Sequence, residues 1–143
     1  MNHVAEALKP VVQAGGRVVL CGSMAFHEDM SRIAATLAGH GIECAKPEAL
    51  DPEAETGEAP LGREYKRKVS RIHMDKVMAP STAAILVANF DKHGIPGYVG
   101  PNTFAEIAVA FSQNKPIFLL NGLPDIYADE LSAWEAVDLK VVT

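Results

Sequence analysis

Three carboxylates and one imidazole lie where they could serve nucleophilic or acid–base chemistry. Glu106 lies at the start of a predicted helix, Asp91 follows an apolar segment, and His73 and Asp75 lie together in another predicted helix. Cleavage of a glycosidic bond needs an ionised carboxylate and a proton donor in different environments. Glu106 is the candidate nucleophile, because the dipole at a helix N-terminus keeps a first-turn carboxylate ionised. Asp75 and Asp91 are candidate second carboxylates, and His73 is either a proton donor or a surface residue.

Glu106 also has a purely structural interpretation. The run from Thr103 to Glu106 fits a capping box, in which the glutamate accepts a backbone N–H at the start of the helix. Spacing alone leaves the two roles balanced. If Asn102 or Thr103 caps the helix, Glu106 does not need to accept a backbone N–H at the start of the helix.

The turn Gly22-Ser23 follows a short apolar segment and precedes a helical pattern. Backbone N–H groups and a hydroxyl at such a turn favour an anion, with help from the helix dipole. The turn matches neither a dinucleotide fingerprint nor a P-loop. Ser23 could equally be only an N-cap, and Phe26, one turn on, is more often a core residue than a platform for a base.

A glycine-rich loop precedes the helix of Glu106, and its glycines allow the backbone to approach a ligand closely. Further candidate ligand contacts lie in this loop and just past the neighbouring predicted strands: Asn89, Asp91, Gly97, Tyr98, Gly100, Asn102 and Asn121. Cys21 and Cys44 form no CxxC pair and no zinc-spaced Cys/His cluster, which favours reduced core thiols. The sequence therefore predicts no metal and no cofactor.

Apolar segments alternate with helical patterns along the chain. The segments 17–22, 42–47, 83–89, 116–121 and 139–143 are predicted strands, and the helices between them make crossover connections. This pattern predicts an α/β, flavodoxin-like three-layer sandwich, with a five-stranded parallel sheet in the order 2-1-3-4-5 and helices on both faces. A ligand is expected at the switch point between the first and third strands.

Two charged stretches interrupt this alternation. Residues 48–62 are acidic and rich in proline and glycine, which indicates a loop that is either a lid or a plain surface excursion. Five Lys/Arg residues then fall between 63 and 71, and such a run is usually the solvated face of a helix.

Size and composition limit the classes of protein to consider. The 143 residues fit a single domain spanning 1–143, with 48% hydrophobic residues to build its core. A net charge of −5 argues against a nucleic-acid binder. The sequence shows no signal peptide and no apolar run of the ~20 residues that span a bilayer, so a cytoplasmic protein without a membrane partner is expected.

Three motifs together resemble the nucleoside 2-deoxyribosyltransferase superfamily, which includes the related nucleoside monophosphate N-glycosidases. They are GSMAF after the first strand, IHMDK before the third, and GYVGPNTFAEIAVAFSQNKPIFLL after it. The resemblance extends from Val18 to about Pro124, and its most specific part is the run around Glu106.

The resemblance implies a flavodoxin-like enzyme that cleaves or transfers the N-glycosidic bond of a nucleoside or nucleotide. It implies that Glu106 attacks C1′ of the sugar, that Asp75 assists the leaving base, and that Asp91 positions the sugar. In the monophosphate-cleaving branch, Gly22 and Ser23 would hold the 5′-phosphate, so a hydrolase is slightly preferred to a transferase. It also implies a homodimer or higher homo-oligomer with sites near the interface.

The chain departs from the family pattern in three places, one of which is Pro101-Asn102, where other members often have smaller residues. Its third strand begins with Ala83-Ala84 where an acidic residue is common, and the loop from Asp91 to Asn102 is longer than in the best-known transferases. Two other functions compete with the enzyme: a non-catalytic nucleotide-binding module with the same pocket, and a flavodoxin-like electron carrier. The second is disfavoured by the lack of a Ser/Thr-rich phosphate turn and by 6% aromatic residues.

Overall fold

The computed structural model describes residues 1–48 and 62–140, and strands and helices alternate through these ranges. The strands are β1 (Arg17–Cys21), β2 (Cys44–Ala45), β3 (Thr82–Val87), β4 (Ile117–Leu119) and β5 (Val137–Asp138). The helices are α1 (Asn2–Val12), α2 (His27–Gly39), α3 (Arg63–Met78), α4 (Pro101–Ser112) and α5 (Ala128–Ala133). Short 3₁₀ turns, Met24–Phe26 and Asp125–Tyr127, precede α2 and α5.

The strands form one sheet in the order β2-β1-β3-β4-β5, and every neighbouring pair is parallel. The predicted fold class and strand order are confirmed. β1 lies between β2 and β3, so the strand order reverses beside it. The carboxyl ends of β1 and β3 therefore meet at the switch point where parallel sheets bind ligands.

Successive residues of each central strand point to opposite faces of the sheet, so they contribute to two separate hydrophobic cores, one on each face. Val18 and Leu20 pack on one face with α1 and α2, through Val4, Leu8, Met30 and Leu37. Val19 and Cys21 pack on the other face with α3, α4 and α5, through Val77, Ile107, Ala110 and Leu131. The helices lie on both faces, as the sequence predicts.

The C-terminal ends of α3 and α4 are tied together by Lys115, which follows α4. Its Nζ donates to the carbonyl oxygens of Val77 (2.6 Å) and Ala79 (2.7 Å). The Val77 carbonyl lies in the last turn of the helix, where carbonyls lack a helical partner, so the lysine supplies its donor. The Ala79 carbonyl, just past the helix, also accepts the backbone N–H of Thr82 at 2.9 Å. Thr82 Oγ1 also donates to the carbonyl of Lys76 at 2.6 Å. These contacts fix α3 beside the sheet.

Several element boundaries differ from the predictions. Among the described residues the last strand is Val137–Asp138, and Leu139 and Lys140 of the predicted strand 139–143 lie outside it. Lys140 has φ 51, and the Asp138 carboxylate accepts its backbone N–H at 2.8 Å. The rest of that predicted strand lies outside the described ranges. The second strand is only Cys44–Ala45, shorter than the predicted 42–47. The expectation of a lid over 48–62 falls almost wholly on residues outside the described ranges.

Candidate active site

Glu106 is the sixth residue of α4 and lies in its second turn, not in the first as predicted. The helix begins at Pro101, with Gly100 as N-cap, and the structure describes no side chain that caps it. Proline suits this first position because it needs no hydrogen-bond partner for a backbone N–H. The capping box is therefore wrong, and so is the cap expected from Asn102 or Thr103. Glu106 has no capping role.

The Glu106 side chain enters a buried group of polar atoms. Glu106 has 8% of its surface exposed, and its Oε1 lies 3.9 Å from Nε2 of His73 on α3. The Sγ of Cys21, the last residue of β1, lies 3.6 Å from the same nitrogen. The ligand atoms of all three side chains lie within 4.8 Å of one another. A strand end and two helices thus converge on one point.

Burial raises the pKa of Glu106 to about 7, while a hydrogen bond with the Cys21 side chain acts in the opposite direction. The expectation that the helix dipole keeps this carboxylate ionised is corrected. The dipole effect falls off within the first turn, and Glu106 lies beyond it, so loss of hydration dominates. Near neutral pH, Glu106 is divided between its protonated and ionised forms.

His73 is 4% exposed. Burial, and then the positive charge of Lys76, lower the pKa of His73 to about 4. The imidazole is therefore neutral at pH 7, and its contact with Glu106 is not an ion pair. A neutral imidazole is a poor proton donor, which argues against the acid role considered for His73. Burial also raises the pKa of Cys21 well above its ordinary value, so Cys21 is a thiol.

Glu106 and His73 form part of the wall of a cavity of about 250 Å³. Five of the predicted ligand contacts also line it: Gly22, Ser23, Tyr98, Gly100 and Asn102. Sequence reasoning did not single out several other lining residues, among them Met24, Glu48, Val69, Ser70, Ile72 and Thr103. These come from the 3₁₀ turn after β1, from the chain beyond β2, from α3 and from the start of α4, which only the tertiary fold brings together.

The Gly22-Ser23 turn has a cationic neighbour that the sequence did not reveal. Ser23 is the N-cap of the 3₁₀ turn, and its Oγ accepts from the backbone N–H of Ala25 at 3.3 Å. Lys92 Nζ donates to the same Oγ at 2.7 Å and lies 5.2 Å from the centre of the Tyr98 ring. The turn thus carries the N-cap role and also places a hydroxyl and an ammonium group together beside the cavity.

Asp75 and Phe26 are not among the residues that line this cavity. Asp75 is exposed on α3 and borders a separate depression with Arg67 and Arg71. Phe26 is 6% exposed and packs edge to face on Phe90, with ring centres 5.3 Å apart. Phe26 is therefore a core residue, and Asp75 lies outside the cavity that Glu106 lines.

Four of the predicted ligand contacts do not line the cavity but hold the nearby loop in place through hydrogen bonds. They are Asn89, Asp91, Gly97 and Asn121. The Asn89 amide donates to the carbonyls of Gly97 (3.3 Å) and Gly122 (2.9 Å) and accepts from the Asn121 N–H (2.9 Å). Asp91 accepts from the Gly97 N–H at 3.0 Å. Gly97 has φ 58, and a Cβ there would lie 2.5 Å from the Asn121 carbonyl oxygen, so only glycine fits.

Comparisons with known proteins add no relative: no family model, curated protein or solved structure matched this chain. Among the described residues, no helix combines the length and apolar character needed to cross a membrane.

Proposed function

We propose that this protein hydrolyses the N-glycosidic bond of a nucleoside 5′-monophosphate, with Glu106 as the nucleophile. The observation that carries the proposal is the place of Glu106: its carboxylate is buried at a cavity on the ligand-binding edge of the sheet. It is also not needed to cap its helix. A buried carboxylate with a raised pKa, in a cavity, is typical of a reactive group.

A second group of residues at the cavity supports a phosphorylated substrate. Ser23 and Gly22 lie at the cavity, and Lys92 Nζ lies 2.7 Å from the Ser23 hydroxyl. A hydroxyl, backbone N–H groups and an ammonium group are the donors that bind phosphate in proteins. The same turn favours a hydrolase of monophosphates over a transferase that acts on free nucleosides.

The proposed reaction has two steps. An ionised Glu106 oxygen forms a bond to C1′ of the sugar while the bond from C1′ to the base nitrogen breaks and its electron pair leaves with the base. Water then attacks C1′ of the glycosyl-enzyme, loses a proton and releases the sugar phosphate and the carboxylate. Tyr98 and Asn102 at the cavity would contact the sugar and base.

The departing base must take up a proton. Asp75 lies outside the cavity and His73 is neutral at pH 7, so we assign this proton to solvent at the mouth of the cavity. His73 then serves as a buried neighbour that limits access of water to Glu106, at 3.9 Å from its carboxylate.

Incubation with a panel of nucleosides and 5′-monophosphates, followed by chromatography for free base, tests the proposal. Base release from a monophosphate is expected, and Glu106→Ala should abolish it without loss of the fold. Addition of a second free base separates the two reaction types, because a transferase would form a new nucleoside. Nucleotide binding without base release over hours would instead support the non-catalytic binding module.

We also infer that the protein forms a homo-oligomer, as the family resemblance implies. Apolar side chains are exposed near α4 and α5: Phe111 (44%), Ile126 (78%) and Val137 (43%). Phe111 stacks on Trp134 with ring centres 4.8 Å apart. Light scattering should give a mass above 15.3 kDa, and Phe111→Lys should lower it. A monomeric wild-type protein would contradict this inference.

A further inference from the structure

The buried contact of Cys21, His73 and Glu106 brings together three different ligand types for a metal ion. Thiolate sulfur, imidazole nitrogen and carboxylate oxygen are the ligands that zinc takes in proteins. Among the described residues, these three form the one group of His, Cys, Asp or Glu side chains close enough to share an ion. We propose that they form a binding site for Zn²⁺.

The distances between the ligand atoms fit a tetrahedral ion. Zinc binds sulfur at about 2.3 Å and nitrogen at about 2.0 Å, which places the two ligand atoms about 3.5 Å apart. The separation of Cys21 Sγ and His73 Nε2 is 3.6 Å. Nitrogen and oxygen ligands of the same ion lie about 3.4 Å apart, so the 3.9 Å between His73 and Glu106 must shorten slightly. All three ligand atoms lie within 4.8 Å of one another, so the glutamate oxygen would have to move closer to the other two on binding.

Charge balance also fits. The positive charge of a buried ion must be balanced by negative ligands, since an unpaired charge away from water costs much free energy. A thiolate and a carboxylate together neutralise Zn²⁺, and the neutral imidazole adds no charge. Binding releases the thiol proton of Cys21 and any proton on Glu106 to solvent.

The site has an entry path and an open fourth position. Glu106 and His73 both line the cavity, while Cys21 lies behind them at 0% exposure. An ion that enters through the cavity meets the carboxylate and imidazole before the sulfur. Three protein ligands and a free position toward the cavity match the usual arrangement of an open zinc site.

Zinc would also inhibit the enzyme, because the ion occupies the oxygen of Glu106 that attacks the sugar. This part rests on the proposed function. The binding of the ion does not rest on it, so the two are tested separately.

Cobalt titration of the metal-free protein tests the site, since Co²⁺ bound by a thiolate gives a charge-transfer band and tetrahedral Co²⁺ gives strong visible bands. We expect one Co²⁺ per chain, displaced by Zn²⁺. Cys21→Ser should remove the charge-transfer band, and His73→Gln and Glu106→Gln should each weaken binding at least about 10-fold. Circular dichroism checks that each variant is folded.

Cys44→Ser is the matched control, because it removes the other of the two cysteines and leaves Cys21 as the sole thiol. The charge-transfer band should persist in this variant, which identifies the sulfur even if Cys21→Ser does not fold. Loss of the band in Cys44→Ser, or no stoichiometric binding by the wild-type protein, would overturn the proposal.

Inhibition is measured by adding Zn²⁺ to the base-release assay and then removing it with a chelator. Reversible loss of activity is expected, with the same zinc dependence as displacement of Co²⁺. Full activity with the ion bound would overturn the inhibitory role alone. If no base is released under any condition, the proposed function fails and the cobalt spectra still decide the metal site.

Discussion

The carboxylate of Glu106 lies 3.9 Å from the imidazole of His73, and burial shifts the pKa values of the two groups in opposite directions. Glu106 holds its proton up to about pH 7, and His73 stays neutral down to about pH 4. Between these values both groups are neutral. Their contact therefore avoids a buried charge until Glu106 ionises, which is the form required for attack on a sugar carbon.

Glu106→Gln should reduce base release by at least about 10³-fold, because an amide cannot form the glycosyl-enzyme. The amide has nearly the same size, so the fold and nucleotide binding should persist. The measurement combines chromatography for free base with calorimetric titration of the nucleotide. Residual activity within 10-fold of the wild-type rate would rule out Glu106 as the nucleophile.

Glu106 should make the free energy of unfolding depend on pH. Its pKa is raised from 4.5 to about 7 in the folded protein, so the folded state binds this proton more tightly than the unfolded state does. This proton adds at most about 3 kcal/mol to the free energy of unfolding. The full contribution is present below pH 4.5 and is lost as the pH rises through 7.

Glu106→Gln removes this dependence. Its stability advantage over the wild-type protein should therefore grow between pH 5 and pH 8. Urea unfolding of both proteins at the two pH values, with a chelator present, measures the difference. The shift at His73 is common to both proteins and largely cancels. An equal difference at both pH values would show that Glu106 is not protonated by burial.

Lys92→Met should weaken recognition of phosphate and leave recognition of the nucleoside intact. A hydrogen bond to a charged group contributes roughly 1.5–3 kcal/mol, so kcat/KM for a 5′-monophosphate should fall about 10- to 100-fold. Activity on the matching nucleoside should change little. Lys68→Met, on the exposed face of α3, is the matched control. Equal losses of kcat/KM for both substrates would show that Lys92 does not recognise the phosphate.

Asp75→Asn should leave base release within about 3-fold of the wild-type rate. Asp75 is exposed and lies outside the cavity of Glu106, so it is not in reach of the leaving base in a single chain. Initial rates on the best monophosphate are the measurement. A loss of 10²-fold or more, the usual cost of a missing general acid, would mean that another chain of the oligomer delivers this carboxylate.

The sequence was enough to predict the sheet, because continuous apolar strands connected by helices can be arranged in only a few topologies. It also selected Glu106, His73 and five other residues that line the cavity. It misplaced Glu106 by one turn because proline and glycine, rather than a polar cap, start α4. This changed the expected charge of the carboxylate, since the second turn is buried and the first is dominated by the helix dipole.

Cys21 was missed for another reason. It is the buried free thiol that the sequence predicts, but it lies 52 residues from His73 along the chain, and an apolar strand that ends in cysteine gives no sign of a polar contact. Lys92 was missed because its 2.7 Å contact with Ser23 joins residues 69 positions apart. Asn89 and Asn121 were expected at the ligand, but the Asn89 side-chain amide bonds to backbone groups of Gly97, Asn121 and Gly122 instead.

The contacts of Lys115 with the last carbonyls of α3 have a mechanical consequence. They join α3 and α4 at the end of the sheet opposite the cavity, so this end acts as a pivot. Any tilt of one helix against the other is small beside the pivot and grows toward the cavity mouth. Ser70 and Asn102 line the cavity and lie farther along their helices from this end than His73 and Glu106 do, so such a tilt would change the distance between Ser70 and Asn102 more than the distance between Glu106 and His73.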